Sequence, residues 1–348
     1  MNRTGIVGAA LLLLVLVMVA LFFVVFDPSD GDEVDRPATT GTQPTTPDPG
    51  DAEISPEAEE VFETLSPEPT AAYEGAPSDL APEAGGSAEV ATAPDGEEEL
   101  IITRADGSTS AEVELGPDGR PTEARYFNDD GELELIISGV RPLPGTRATG
   151  GANPAGPLRV RCGSASRKAA PWRFQTFPQR WKLNVRSVPP ALLRQGGLLA
   201  LRKARSTWIR NHSHCRNIRD SSRVRFRYTG GTRRGVGLNG ISSIGFGNTA
   251  RLGGVCPGTV ACTLTWVSGG RVVESDTRFN SRIRGGFSVR RRANAFDLQS
   301  VMTHELGHTL GVEHVNAPTN VMYPFARRGN VSARRLGRGD ALLNNSKY

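Results

Sequence analysis

The chain has 348 residues, long enough for two ordinary domains or for one domain with long accessory segments. Its net charge of +4 conceals two opposed halves: residues 1–150 hold 30 acids and 7 arginines, whereas residues 151–348 hold 34 lysines and arginines and only 7 acids. Such a division describes an acidic solvated region joined to a basic folded unit. The basic half has no nucleic-acid motif and no regular basic helix, so the charge gives no ground for binding DNA or RNA.

Ile6 to Phe26, "IVGAALLLLVLVMVALFFVVF", is an apolar run of 21 residues. A membrane-spanning helix needs about 20 such residues, whereas the apolar part of a cleavable signal has about 7 to 15 and ends at a small-residue site. No such site follows. Arg3 before the run and Asp27, Asp30 and Asp32 after it orient the N-terminus toward the cytoplasm. Residues 1–26 are therefore expected to be a transmembrane signal anchor, which places the rest of the chain outside the cell. The rival reading is a cleaved signal and a secreted protein.

Residues 27–98 are rich in proline, threonine and acid, as in "PATTGTQPTTPDPG", and are expected to form a disordered, self-repelling linker. From 99 to 141 three Asp-Gly pairs, Asp106-Gly107, Asp118-Gly119 and Asp130-Gly131, recur every 12 residues between alternating segments. Asp-Gly flanked by alternation marks a hairpin, so this stretch predicts a small all-β meander of four strands. A piece of that size is marginal alone and is expected to pack on the basic unit. Charge attraction would dock it there and modulate access at low salt.

A proline- and glycine-rich linker, 142–157, leads to the second unit, 158–348. Strands are expected at Trp181–Val188, Arg223–Tyr228, Ile241–Phe246, Cys262–Val267 and Arg271–Phe279, with a helix at Ala191–Arg210 and another at Leu298–Leu310. That pattern is α+β. The glycines of "GGTRRGVGLNG" fit a loop or binding rim.

The stretch "THELGHTLGVEHVNAPTNVMYP" gathers three of the chain's five histidines. Asp297 is a suitable N-cap for the second helix. His304 and His308, four apart, leave one helical face and can share a tetrahedral metal, while Glu305 can reach a water in an open position. Gly311 can adopt positive φ and turn the chain back, bringing His314 in as a third ligand. Three protein ligands leave one place for water, which is the pattern of a catalytic site. Met322 can lie under the metal as an apolar floor.

The segment from His304 to His314, followed by Met322-Tyr323-Pro324, resembles the metzincin zinc-peptidase signature with its Met-turn, and its spacing resembles the matrixin branch. "FDLQSVMTHELGH" and "RVVESDTRFN" are similar to that branch as well. The resemblance implies a metzincin-like α+β catalytic domain with a twisted, mostly parallel sheet, an active-site helix and a smaller C-terminal part. It implies one catalytic zinc held by His304, His308 and His314, with Glu305 as general base and Met322 in the turn. It also implies an endopeptidase acting on protein or peptide substrates, with an edge strand near Ala261 to Thr265 that pairs with extended substrate. Calcium is compatible with such a domain, but no sequence feature supports it.

The sequence departs from that pattern in places. Val315 follows the third histidine where matrixins usually have serine, and only His212 and His214 remain for any structural zinc site. Cys162 in "RVRCGSAS" resembles the matrixin latency cysteine, but the flanking proline and aspartate are missing. An exported chain with an even cysteine count favours disulfides, most simply Cys162 with Cys215 and Cys256 with Cys262. The competing function is a noncatalytic zinc-binding adhesin or cell-wall scaffold, to which Glu305 would be unnecessary.

Overall fold

The computed structural model describes residues 84–92, 97–144, 162–174 and 176–348. The run Ile6 to Phe26 and most of the linker lie outside these residues. Among the described residues no helix is long and apolar enough to cross a membrane.

The N-terminal strands are β1 (Ser87–Thr92), β2 (Glu98–Thr103), β3 (Thr109–Leu115), β4 (Pro121–Phe127) and β5 (Leu133–Pro142). Each neighbouring pair is antiparallel. The three Asp-Gly turns join β2 through β5, with Gly107, Gly119 and Gly131 at φ of 86°, 70° and 75°. Side chains other than glycine rarely adopt these angles, which is why each turn sits at an Asp-Gly pair. β1 adds a fifth strand from a segment expected to be linker. Its composition gave little sign of order, since Val90 is its one large apolar residue and is exposed.

The second unit continues with β6 (Gln179–Leu183), α1 (Pro190–Arg194), α2 (Gly197–Ile209), β7 (Phe226–Gly231), β8 (Ser243–Gly247), β9 (Ala261–Ser268) and β10 (Arg271–Asn280). After the short pair β11 (Phe287–Ser288) and β12 (Phe296–Asp297) come α3 (Leu298–Thr309), β13 (Phe325–Ala326) and α4 (Arg338–Lys347). The single helix expected at Ala191–Arg210 is two helices, because Gly196 takes φ of 88° between them. From β10 through β8 and β6 to β7 the pairings are parallel, and β9 is antiparallel to β10.

The meander does not end at its own edge. β5 pairs antiparallel with β9 from Leu135 opposite Trp266 to Val140 opposite Ala261, so one sheet runs from β1 to β7. Period-2 alternation puts Ile102, Ala111, Val113, Ala124 and Ile137 into a cluster with Leu264 and Trp266 of β9 and with Leu252 and Val255 of a nearby loop. Burial of each large aliphatic there contributes about 1.5–3 kcal/mol, much of it gained against residues of the second unit. The opposite face of the same strands carries Glu99, Glu112, Glu114, Glu123, Arg125 and Ser138. On the other side of the sheet α2 and α3 pack together, and the buried Trp208 indole donates to the Thr303 carbonyl at 2.7 Å.

Candidate metal centre

Asp297 starts α3, its carboxylate accepting from the Ser300 amide at 2.9 Å and the Ser300 hydroxyl at 2.7 Å. Arg334 Nε donates to the same carboxylate at 2.9 Å, which ties the helix start to the C-terminal part. The helix ends at Leu310, and Gly311 at φ of 68° reverses the chain. A Cβ at Gly311 would press on Trp172 and the Lys347 ammonium, so both conformation and space call for glycine.

His304, His308 and His314 meet beside this turn, all three buried. His304 Nε2 lies 3.0 Å from His308 Nε2 and 3.2 Å from His314 Nε2. Tetrahedral zinc with Zn–N bonds of about 2.0–2.1 Å needs nitrogens about 3.3–3.4 Å apart, so the spacing fits. The tautomers fit as well. His304 Nδ1 is 2.7 Å from the Val321 carbonyl and must donate to it, which leaves the lone pair on Nε2. His308 also donates to a carbonyl, that of Val312. Burial pushes His304 and His308 down to about 3 and holds His314 well below the usual imidazole range. The lone pairs of His304 and His308 converge on each other with His314 Nε2 beside them, and a cation satisfies all three nitrogens once His314 carries its proton on Nδ1, which closes no hydrogen bond here.

Glu305 is buried beside them. Its Oε2 accepts a 2.6 Å bond from the Thr263 hydroxyl on β9, and Thr263 in turn contacts Thr277 at 2.9 Å on β10. Burial raises the Glu305 carboxyl to about 8, while Thr263 and the Val140 amide, which lies against the carboxylate, pull it down. Oε1 closes no hydrogen bond of ordinary geometry. A divalent cation at the three Nε2 atoms would stabilise the carboxylate further.

Below the triad, Met322 is fully buried and its sulfur abuts Gly307. The turn that carries it is held by Asp340 of α4, whose carboxylate accepts from Val321 N at 2.6 Å and Gly337 N at 2.8 Å. Val315 donates its amide to the Met322 carbonyl at 3.0 Å, a backbone bond that needs no serine side chain. The Tyr323 ring stands 5.4 Å from that of Phe325, and both line the cavity that His304 also borders. His212 and His214 lie apart from the centre, His214 Nε2 standing 3.0 Å from the Ser332 carbonyl.

The meander contributes residues that the sequence reading did not assign to the site. Glu123 Oε2 lies 3.7 Å from His308 Nδ1, and Glu114 Oε1 lies 3.7 Å from His314 Nδ1. Both distances exceed a hydrogen bond, but carboxylates placed behind metal-binding histidines favour the ligating form. Ser138 donates to Glu123 at 2.8 Å. Glu114, Glu123, Ser138, Thr263 and Thr277 form one cross-strand row, each opposite the next. Period-2 alternation showed which residues share a face, but not that this face turns toward α3. At one end of the row Arg125 pairs with Glu313 at 3.1 Å and Lys168 with Glu114 at 3.3 Å.

The four cysteines form two disulfides, Cys162–Cys215 and Cys256–Cys262, and no free cysteine remains among the described residues. Cys162 is therefore not available as a latency thiol. The glycine-rich loop is fixed by carboxylates of β10: Glu274 accepts from Asn239 and Gly240, and Asp276 accepts from Gly237 and Ser243.

No curated protein matches the chain. The family model of the matrixins, Peptidase_M10, matches residues 222–344, the segment that runs from β7 through α4 and includes the triad, Glu305 and Met322. Fold, histidine triad and family match agree on a matrixin-like metallopeptidase domain that includes residues 222–344.

Proposed function

We propose that the chain is a zinc-dependent endopeptidase in which Glu305 is the general base. The observation that carries this reading is the buried Glu305 carboxylate beside three converging imidazole nitrogens, one oxygen held by Thr263 and the other closing no hydrogen bond of ordinary geometry. Zinc held by His304, His308 and His314 would polarise the scissile carbonyl and make an adjacent water more acidic. Glu305 takes a proton from the attacking water and delivers it to the departing amine nitrogen. Thr263 positions the carboxylate during both transfers. β9, expected near Ala261 to Thr265 as an edge strand, lies between β5 and β10, so extended peptide pairs with it in the place that β5 takes here.

In this reading Ile6 to Phe26 anchors the chain in a membrane with the enzyme outside the cell, and extracellular proteins are its substrates. The acidic meander restricts access to the centre. The pairing of β5 with β9, the Arg125–Glu313 and Lys168–Glu114 ion pairs and the burial of all three histidines support that role.

The test is digestion of casein by the zinc-loaded chain, with and without a chelator, beside Glu305→Ala. Chelator-sensitive digestion that disappears in the variant is the expected result. Equal digestion by both proteins would remove Glu305 from its role, and none by either would leave a noncatalytic zinc protein.

A further inference from the structure

β5 lies between two strands of the catalytic part. On one side it runs antiparallel to β9, with Gly139 opposite Cys262 and Val140 opposite Ala261. On the other it runs parallel to β13, with Arg141 opposite Phe325. The Val140 carbonyl accepts from Val260 N at 2.7 Å, and the amides of Arg141 and Leu143 donate to Pro324 and Ala326 at 2.9 and 2.8 Å. A strand bonded along both edges is fixed in direction and register, as a bound extended peptide is.

The side chains follow the same register. Val140 is 2% exposed and stands at a cavity of about 270 Å³ bounded by Val301, His304, Val321 and Phe325. Gly139 faces the other way. A Cβ there would lie 2.8 Å from Thr259 Cγ2 and 3.1 Å from the Ala261 carbonyl oxygen, so the strand approaches β9 this closely only with glycine. The Val140 nitrogen lies against the Glu305 carboxylate. One peptide bond thus has its nitrogen beside the proposed base, a small residue on its acyl side and an apolar side chain on the wall of a cavity next to a metal-binding histidine.

We infer that the Gly139–Val140 peptide bond is the chain's own first substrate, cut within its own cleft. The inference rests on the endopeptidase reading. Water adds its oxygen to the Gly139 carbonyl carbon, the C–N bond breaks, and Glu305 passes a proton of that water to the Val140 nitrogen. The water's second proton follows to the same nitrogen, so the products are a carboxylate on Gly139 and an ammonium on Val140, and no other reactant is needed. The cut separates residues 1–139, which include Ile6 to Phe26, from residues 140–348, which keep the triad, Glu305 and both disulfides. The cleft-filling strand then ends at the centre instead of passing through it.

The experiment incubates the full-length, zinc-loaded chain in detergent and follows it by denaturing mass spectrometry and N-terminal sequencing, with casein digestion measured in parallel. The expected result is a fragment that begins at Val140, appears at a rate independent of protein concentration, and is absent from Glu305→Ala. A chain that digests casein but stays intact, or is cut elsewhere, overturns the inference and leaves the peptidase reading standing. A cut whose rate grows with concentration overturns its intramolecular character. Failure on casein together with an uncut chain overturns both. A second measurement needs no catalysis: in metal-free Glu305→Ala, backbone amides of residues 133–141 should exchange with deuterium as slowly as those of β9. Rapid exchange there would show that β5 does not occupy the cleft.

Discussion

The sulfur of Met322 occupies the space that a side chain at Gly307 would need, so the floor of the metal centre and the middle of α3 touch without a Cβ between them. Trp208 closes the same position from α2. Gly307→Ala should therefore destabilise the fold by about 1–3 kcal/mol, although alanine is the better helix former. Urea unfolding measures it. A double-mutant cycle with Met322→Ala should show coupling between the two sites, and additive effects would mean that the contact is not what excludes the methyl group.

In the proposed reaction Thr263 acts through Glu305, to which it donates. Replacing it with valine keeps the shape and removes the 2.6 Å bond, leaving a buried carboxylate oxygen without its donor at a cost of about 1–3 kcal/mol. kcat/KM for casein should fall about 10- to 100-fold, mostly through kcat, because substrate contacts are retained. Thr263→Ser restores the hydroxyl and should recover most of the activity. If serine is as impaired as valine, packing and not the hydrogen bond explains the loss.

Asp340 links pH to stability. Burial raises its carboxyl to about 6, against three backbone N–H donors that pull the other way. A carboxyl whose folded-state pKa lies above its unfolded value stabilises the fold fully below the unfolded value and loses that contribution as pH rises through the folded one. Relative to Asp340→Asn, which does not titrate, the wild-type chain should lose up to about 3 kcal/mol between about pH 4 and pH 6.5. Denaturant unfolding of both proteins across that window measures the difference. A constant offset would place the pKa of Asp340 at its unfolded value.

The Cys162–Cys215 disulfide closes a loop with a sequence separation of 53, tying the segment that enters the catalytic part to the residues after α2. Chain entropy assigns such a loop about 4 kcal/mol, and measured disulfides typically give about 2–4 kcal/mol. A chain with Cys162→Ser and Cys215→Ser should unfold at lower denaturant by that amount. All four cysteines should resist alkylation until a reductant is added. Ready labelling of Cys162 in the folded chain would contradict the pairing.

How much of this was legible along the chain depends on how far apart the interacting residues are. The spacing of His304 and His308, the turn at Gly311 and the three Asp-Gly hairpins are local, so helix period, left-handed glycine and strand alternation specify them within a dozen residues. Boundaries blurred where local signals were mixed, as at Gly196 inside an apparently continuous helical pattern. β1 escaped notice because an exposed strand with one large apolar residue reads like linker.

The sequence by itself determined the chemistry available at the centre: three imidazoles, a carboxylate and a methionine at spacings that a helix and a turn can bring together. Only the tertiary structure decided that Thr263 bonds to Glu305, that Asp340 holds the turn of Met322, and that β5 fills the space between β9 and β13. Each of those contacts joins segments far apart in sequence. Alternation says which residues of a strand share a face but not which strand comes to lie beside it, because that choice depends on the burial gained by the whole sheet and helix assembly.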